Sequence, residues 1–386
     1  MRDVSIVGVG MTPVGEHWDK SLRELAADAL QLALKDADIK QLNALYVANA
    51  FGSSFSSQSH LGALIADFAG LSGIEAFTIE AADASGGAAL RSAYLAVASG
   101  AVETVAVVGV EKSTDAIAGA RVEARNVGLD ADFESIHGAT LPALAALLMR
   151  RYMYEHNVAL DVFEGFSINA HANGGLNPHA MFRNKIKPGS FARAPMVADP
   201  VSLFDGAPDA DGAAAIIVTS SERAADLVSR PVKIIGSSAS TDTFKLQDRE
   251  DLLYFKAVEA STKAAILQAG LSLDAVDVFE LHDAFAIVTT IALEAMGYAE
   301  RGQGWKLAEN AGAELGLSGR FPVSTFGGLK SRGNPVGATG IYQAVEAVMQ
   351  LQGRAGENQV SDAKTALIQN LGGLASTAVT HLLAVQ

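Results

Sequence analysis

The feature that most constrains the fold of this chain is an internal repeat in its order of strands and helices. A buried-strand pattern opens the chain at Val4–Gly10, and a similar pattern recurs at Val232–Ser238. An amphipathic helix follows in each copy, at 21–36 and at 257–269, and a further strand comes after it. Because this order repeats over such a length, we predict two copies of a β-α-β-α-β unit.

The later parts of the two copies correspond as well. A long helix that opens with glycines is predicted at 85–99 in the first copy and at 337–352 in the second. A short strand follows each helix, at 104–109 and at 365–368. Strands that alternate with helices favour a largely parallel sheet covered by helices, so the predicted fold class is α/β.

The stretch at about 112–201 differs from both repeated units. It is richer in Arg, His, Asn and Met, and it lacks the rhythm of strands. We therefore predict an N-terminal half at 1–230, which carries this stretch as a mostly helical insertion, and a C-terminal half at 231–386. Insertions of this size usually carry function.

Composition excludes several classes of function. Apolar residues make up 49% of the 386 residues and charged residues 19%, which is typical of a chain with a large core. The 29 basic and 43 acidic residues give a formal net charge of −14 without a basic cluster, so we expect no nucleic-acid or membrane partner. Neither a leader pattern nor an uncharged apolar run of about 18 residues occurs, which predicts a cytoplasmic protein.

Several short blocks of sequence resemble the motifs of one known family. They are Ala81–Ala89, Val108–Ser113, Asp211–Ala215, His282–Phe285, Gly327–Lys330, Gly333–Gly340 and Asn370–Gly373. In this order, and over nearly the whole chain, they are similar to the thiolase superfamily, and in detail to its archaeal and sterol-carrier-protein branches. The resemblance implies the thiolase fold, with two pseudo-symmetric five-layered αβαβα halves, a helical loop domain over the active site, and a dimer.

The departures from this family decide the predicted chemistry. The chain contains no cysteine, and Asp83 stands where the resemblance places the Cys that accepts the acyl group. Asn334 stands in place of the His that activates this Cys, and Ala284 in place of a second Cys. A carboxylate is a poor acyl acceptor because a mixed anhydride is far more reactive than a thioester, and an amide cannot accept a proton at neutral pH. We therefore predict that no acyl transfer runs through a covalent acyl-enzyme.

Asp83, His282 and Asn334 are the main candidate catalytic residues. Asp83 precedes a predicted helix, so it is either the N-cap of that helix or a general base held against an acyl-CoA. His282 follows the strand predicted at 276–281, and it is either structural or a donor that helps to polarise the thioester oxygen. Asn334 can donate to the same oxygen through its amide.

Four further residues have less support as site residues. Gly373, together with Gly372, either lets backbone N–H groups approach the reacting centre or forms an ordinary turn. Tyr342, near the start of a predicted helix, is either a phenol donor or a core residue. His171 and His179 lack further ligands at a zinc-binding spacing, so we expect them to be solvated or to line a CoA site.

Two functions of different classes remain open. The first is carbon–carbon bond cleavage by a retro-aldol reaction of a β-hydroxyacyl-CoA, which needs a base and donors to the enolate but no sulfur nucleophile. Thiolase relatives that lack the Cys include aldolases that shorten steroid side chains, and this chain resembles them in what it has lost. The second is a non-catalytic scaffold subunit of an acyl-CoA acyltransferase complex. Decarboxylation or an unorthodox acyl transfer is a further alternative.

The resemblance also implies partners. Those aldolases work with a small partner that carries an oligonucleotide-type barrel and a zinc ribbon, so a similar partner is a possibility here. No cofactor is expected apart from coenzyme A as part of the substrate. A homodimer is expected as in the family, since the strand at 104–109 would otherwise be a half-exposed edge.

Overall fold

A mixed sheet of nine strands runs through the protein, whose computed structural model describes residues 1–385. The strands are β1 (Val4–Met11), β2 (Ala44–Ala48), β3 (Glu75–Ile79), β4 (Thr104–Glu111), β5 (Met196–Ala198), β6 (Val201–Ser202), β7 (Gly212–Ser220), β8 (Val232–Thr241), β9 (Val278–Glu280), β10 (Thr365–Gly372) and β11 (Thr377–Val385). In the large sheet they lie in the order β3-β2-β4-β7-β1-β8-β11-β10-β9, and β5 pairs with β6 in a separate hairpin.

Helices pack against both faces of this sheet. They are α1 (Leu22–Asp36), α2 (Gly52–Phe55), α3 (Leu61–Phe68), α4 (Ser85–Ser99), α5 (Ala118–Asn126), α6 (Leu141–His156), α7 (Glu164–Gly174), α8 (Ser221–Leu227), α9 (Lys256–Ala269), α10 (Ala286–Met296), α11 (Lys306–Glu309), α12 (Ala311–Glu314) and α13 (Thr339–Gln352). A capping box starts α1, because the Ser21 hydroxyl accepts from the Glu24 N–H and the Glu24 carboxylate accepts from the Ser21 N–H. No helix in residues 1–385 has the length and apolar character needed to cross a bilayer.

The internal repeat is visible in the order of the strands. β1 and β8 lie side by side at the centre of the sheet and pair antiparallel, with Ile6 opposite Val232. From this centre the order outward is β7, β4, β2 on one side and β11, β10, β9 on the other. The succession β1-α1-β2 therefore has its counterpart in β8-α9-β9. The boundary between the halves at residue 230 stays a prediction.

The prediction of a largely parallel sheet is wrong. β3 with β2, β2 with β4, and β10 with β9 are parallel neighbours, whereas the other neighbouring pairs are antiparallel. The difference arises from β7 and β11, which the sequence patterns did not single out as strands. β11 follows β10 after a short turn, and such a turn returns the chain antiparallel to its own strand.

The strand that was expected to form an exposed edge lies inside the sheet. β4 is buried along its whole length between β2 and β7. The edges of the large sheet are β3 and β9, and β3 is mostly exposed. Phe77, at the middle of β3, is 56% exposed. β3, and not β4, is thus the strand that leaves an apolar edge unpaired.

Helices α4 and α13 form a central layer of the molecule. Each contacts strands of both halves of the sheet, and the two helices pack against each other. A Cβ atom at Gly86 of α4 would lie 2.8 Å from the Gly340 backbone at the start of α13. On the other faces, α1 packs on β1, β4 and β7, and α9 packs on β8 and β11. The two halves of the sheet therefore form two layers with α4 and α13 between them, and α1 and α9 lie on the outer faces. The layers alternate as helix, sheet, helix, sheet, helix.

The contact between α4 and α13 predicts that Gly86→Ala destabilises the protein. The added methyl group would overlap backbone atoms that cannot rotate away, so we expect a loss of about 1–3 kcal/mol in the free energy of unfolding, measured by urea denaturation. Gly119→Ala on α5 is the matched control, because nothing lies within 4 Å of its Cβ position. Equal stabilities for the two variants would contradict the close contact.

Candidate active site

Asp83 lies in a tight turn directly before α4. The turn holds Ala82 in the left-handed region with φ of 51°, which is uncommon for a residue that has a side chain. The Asp83 side chain is 4% exposed, and its Oδ1 accepts from Arg125 Nη2 at 3.0 Å and from Asn334 Nδ2 at 3.5 Å. Helix α4 begins at Ser85 without a side-chain cap. Asp83 therefore binds two side chains and is not the N-cap of α4.

Arg125, on α5, links two carboxylates. Its Nη2 donates to Asp83 and its Nη1 donates to Asp209 Oδ1. Burial opposes the charge, but Asp209 and Asp83 raise the pKa of Arg125 above its ordinary value, so the guanidinium stays cationic. The sequence patterns did not single out Arg125 or Asp209. The only signal was the abundance of Arg in the segment that follows β4.

Asn334 lies just before α13, and its amide has a defined orientation. Its Oδ1 accepts from Thr339 Oγ1 at 2.8 Å, which leaves Nδ2 directed at Asp83. Its backbone N–H donates to Pro208 O at 3.0 Å, and its carbonyl accepts from Ala210 N at 3.3 Å. The amide therefore presents donors to the same point as Arg125.

His282 is joined to the Asp83 turn through Asn370 of β10. Backbone groups fix the Asn370 amide, since its Oδ1 accepts from Gly87 N at 2.9 Å and its Nδ2 donates to Asp83 O at 3.0 Å. The same Nδ2 lies 3.4 Å from His282 Nδ1, which must then be an acceptor. Burial lowers the pKa of His282 to about 4, against the opposing effect of Asp83. At neutral pH His282 is therefore uncharged and carries its proton on Nε2.

A cavity of about 990 Å³ leads to this group of polar residues. Arg125, Asn334 and Asp209 line it, whereas Asp83 and His282 do not. The carboxylate and the imidazole thus lie behind the residues that face the cavity. The chain between β4 and β7 supplies much of the wall, with the apolar residues Val122, Leu141, Phe182, Ile186, Val197, Val201, Leu203 and Phe204.

Tyr342 and Gly373, like Asp83 and His282, do not line this cavity. Tyr342 is a fully buried core residue, and its hydroxyl donates to Thr12 O at 3.0 Å. Gly373 lines a separate small cavity of about 20 Å³. Its neighbour Gly372 is closer to the site, because a Cβ there would lie 2.6 Å from Ala81 O in the Asp83 turn. The structure therefore assigns Tyr342 to the core and gives Gly373 no contact with the cavity.

The two histidines of the segment after β4 have different surroundings. His171 lines the large cavity, where its ring stacks on Phe182 and its Nδ1 lies 3.1 Å from Asn184 O. Burial lowers the pKa of His171 and also that of His179, which does not line the cavity. Within residues 1–385, no group of three or more acidic or histidine side chains has the geometry to hold a metal ion.

Both halves of the chain match thiolase domains. Residues 4–198 match the family described as thiolase, N-terminal domain, and residues 238–385 match the family described as thiolase C-terminal domain-like. The chain therefore belongs to the thiolase superfamily, and its architecture is the thiolase fold.

Individual relatives are similar over nearly the whole chain. The acetyl-CoA acetyltransferase of Methanothermobacter thermautotrophicus is 39% identical over 384 residues, which cover 99% of both chains. Human sterol carrier protein 2 is 28% identical over 389 residues, which cover 96% of this chain and 70% of that protein. The solved structure described as "Ltp2-ChsH2(DUF35) aldolase" superposes with a TM-score of 0.85 at 22% identity, over 98% of this chain and 97% of that chain. The last similarity concerns the fold alone.

The buried His282 predicts a loss of stability in mild acid. Its folded-state pKa of about 4 lies below the ordinary value of 6.5, so its stabilising contribution is complete above pH 6.5 and is lost as the pH falls towards 4. This group should cost about 2 kcal/mol of unfolding free energy at pH 5 relative to pH 7.5. Urea unfolding of His282→Gln at the two pH values should show a weaker pH dependence than the wild type.

The free energy of unfolding of His282→Gln should still fall in mild acid. Burial also lowers the pKa of His381 to about 4, so His381 keeps its own contribution in His282→Gln. His381→Gln should therefore show a similar partial effect, and the double variant should show the weakest pH dependence. An unchanged pH dependence in His282→Gln would contradict the neutral state of this imidazole.

Proposed function

We propose that this protein cleaves a carbon–carbon bond of a β-hydroxyacyl-CoA by a retro-aldol reaction, without a covalent acyl-enzyme. The observation that carries the proposal is the site itself, in which Asp83 lies directly behind Arg125 and Asn334, two residues that line a large cavity, in a chain without cysteine. These groups can move a proton and hold an enolate, but they lack the thiolate that accepts an acyl group. The solved aldolase with the same fold supports this proposal.

Asp83 is the base in this reaction. Its carboxylate accepts the proton of the β-hydroxyl group as the bond between Cα and Cβ breaks, and the electron pair of that bond moves into the thioester. The products of this step are a carbonyl compound and a CoA enolate. The same proton then returns from Asp83 to the α-carbon of the enolate, so the reaction needs no other reactant.

His282 and Asn334 are donors to the thioester oxygen. His282 is neutral and has its proton on Nε2, and Asn334 presents its Nδ2 at 3.5 Å from Asp83 Oδ1. Donors that are held in place before the reaction stabilise the negative charge that develops on this oxygen. Neither residue needs to change its charge during the cycle.

The cavity fits a CoA ester in size and lining. At about 990 Å³ it is at the upper end of ligand cavities. Lys185 and Lys187 line it and can meet the phosphates of coenzyme A, which enters as part of the substrate. The apolar wall suits a bulky acyl group, and a steroid-derived side chain is one substrate of this kind.

A non-catalytic subunit of an acyl-CoA acyltransferase complex is the second candidate function. It is favoured by the ion pair between Arg125 and Asp83, which separates the carboxylate from the cavity. The 39% identical relative bears the name of an acetyltransferase, which agrees with a role beside such an enzyme. A scaffold, however, has no chemical need for donors aimed at one point.

Asp83→Asn tests the base. We expect it to lower the turnover of the correct β-hydroxyacyl-CoA by about 10²–10⁴-fold, with little change in ester affinity, because the amide cannot accept the proton. The measurement is product formation by mass spectrometry over a panel of β-hydroxyacyl-CoA and β-ketoacyl-CoA esters. Asp132→Asn, at an exposed carboxylate, is the control.

The outcomes of this experiment separate the two candidates. Unchanged turnover in Asp83→Asn would remove Asp83 as the base. No turnover of any ester by the wild type, even with a small partner protein present, would favour the scaffold. His282→Ala should lower turnover more than affinity, because an oxyanion donor acts mainly in the transition state.

Two further parts of the proposal concern assembly. A second copy of the chain can cover β3, whose outer edge is unpaired and carries the exposed Phe77. A small partner is proposed because the solved aldolase is named together with ChsH2(DUF35). The dimer would remove the exposed edge that a single chain leaves.

Phe77→Asp tests the dimer. A charge on the covered edge would be buried without a partner, so the variant should sediment as a monomer at micromolar concentration while the wild type sediments as a dimer. Leu267→Asp is the control, since Leu267 is 82% exposed on α9, away from β3. A monomeric wild type, or a dimeric Phe77→Asp, would contradict this interface.

A further inference from the structure

Arg125 is the cation of the Asp83 site, and it faces the cavity. It lines the cavity and its side chain is 16% exposed, whereas the Asp83 side chain behind it is 4% exposed. Asn334 Nδ2 is directed at the same carboxylate oxygen as Arg125 Nη2. In the free protein, Asp83 Oδ1 thus occupies the point at which a cationic and a neutral donor converge, which is the environment that an enolate oxygen requires.

We propose that Arg125 is a catalytic residue that binds the thioester oxygen and neutralises the enolate, and that Asp209 is its positioning residue. This inference rests on the proposed function, because it assigns the counter-ion of the enolate formed there. Its physical basis is the charge balance between Asp83 and Arg125, and the position of Arg125 at the end of the cavity.

The total charge of the site and its substrate does not change during the reaction. Before the reaction the anion beside Arg125 is the Asp83 carboxylate, and the substrate is neutral. When Asp83 takes the hydroxyl proton it becomes neutral, and the negative charge appears on the thioester oxygen as the bond between Cα and Cβ breaks. The guanidinium then pairs with the enolate, and it returns to Asp83 when the proton is delivered to Cα. The net charge of Asp83, Arg125, Asp209 and the substrate is therefore the same before and after the proton transfer, so the reaction adds no further charge to a site where burial penalises charge.

The same exchange frees the base. In the free protein, Arg125 Nη2 and Asn334 Nδ2 both donate to Asp83 Oδ1. As negative charge develops on the thioester oxygen, Arg125 moves from Oδ1 to this oxygen, and Oδ1 becomes available to the hydroxyl proton. Charge development on the thioester and proton transfer to Asp83 are thereby coupled through one side chain.

Asp209 holds Arg125 at the cavity during this exchange. It accepts from Arg125 Nη1, and it is itself part of the cavity wall. Helix α5, which carries Arg125, has Ala124 as its one buried residue, so packing alone positions it weakly. The contact with Asp209 therefore restricts where the guanidinium can go once it leaves Asp83.

The first test uses acetoacetyl-CoA as a probe that needs no bond cleavage. The α-proton of this ester is acidic, and its enolate absorbs in the near ultraviolet. The wild type should raise the enolate fraction of the bound ester, and Arg125→Gln should reduce this fraction by about tenfold or more. Arg121→Gln is the matched control, because Arg121 lies one turn earlier on α5, reaches Asp209 Oδ2 only at 3.9 Å, and has no contact with Asp83.

The outcomes of this titration are distinct. Loss of the enolate band in Arg125→Gln with its retention in Arg121→Gln supports the proposal. No enolate band with the wild type, or an equal band in Arg125→Gln, overturns it. If Arg125→Gln does not fold, as judged by circular dichroism, Arg125→Lys serves instead. It should retain the charge but lose part of the band, because one compact ammonium does not reproduce the separate Nη1 and Nη2 donors with which Arg125 contacts Asp209 and Asp83.

The second test separates Arg125 from the cleavage reaction. Asp209→Asn should lower kcat more than it raises KM, and Arg125→Lys should partly rescue the loss seen in Arg125→Gln. If the enolate band depends on Arg125 but no β-hydroxyacyl-CoA is cleaved, the proposed function fails and the Arg125 assignment stands. If Arg125→Gln cleaves the substrate at the wild-type rate, the function stands and the Arg125 assignment fails.

Discussion

The close contact between α4 and α13 is the constraint on which the rest of the site depends. A site residue precedes each helix, since the Asp83 turn comes directly before α4 and Asn334 lies five residues before the first residue of α13. Only because Gly86 and Gly340 lack side chains can the two helices approach until Asn334 Nδ2 lies 3.5 Å from Asp83. Asn370 completes this arrangement, and its buried amide leaves no donor or acceptor unmatched when both helices are in place.

An ion pair occupies the place where the resemblance puts a thiolate. A nearly buried carboxylate at position 83 would be costly alone, and the Arg125 guanidinium, which also pairs with Asp209, compensates its charge. Replacing a buried ion pair by apolar residues is often neutral or stabilising, so the charges of Asp83, Arg125 and Asp209 are weak evidence for a role in stability. Their position beside the cavity agrees with the proposed catalytic use of the site.

Local sequence patterns predicted most elements of the two repeated units, because apolar periodicity reflects which face of an element is buried. They did not reveal β7 and β11, and they placed β4 at an edge. The position of β4 depends on which strands are its neighbours, and that depends on how distant parts of the sheet assemble. For the site, Asp83, Asn334 and His282 were found because each adjoins an element with a recognisable motif. Arg125 was not found from the sequence, because it lies on a short, exposed helix whose sequence carries no such motif.

The sequence by itself determined the fold class and the chemical groups available: the repeat indicated an α/β class, the resemblance to thiolases implied the architecture, and the lack of cysteine excludes a thiolate nucleophile. Only the tertiary structure decided that Arg125 pairs with Asp83, that Tyr342 belongs to the core, and that β3 is the exposed edge. The reason is distance along the chain. The contacts of Asp83 with Arg125 and Asn334 join residues 42 and 251 positions apart, and local periodicity carries no information about pairing over such separations.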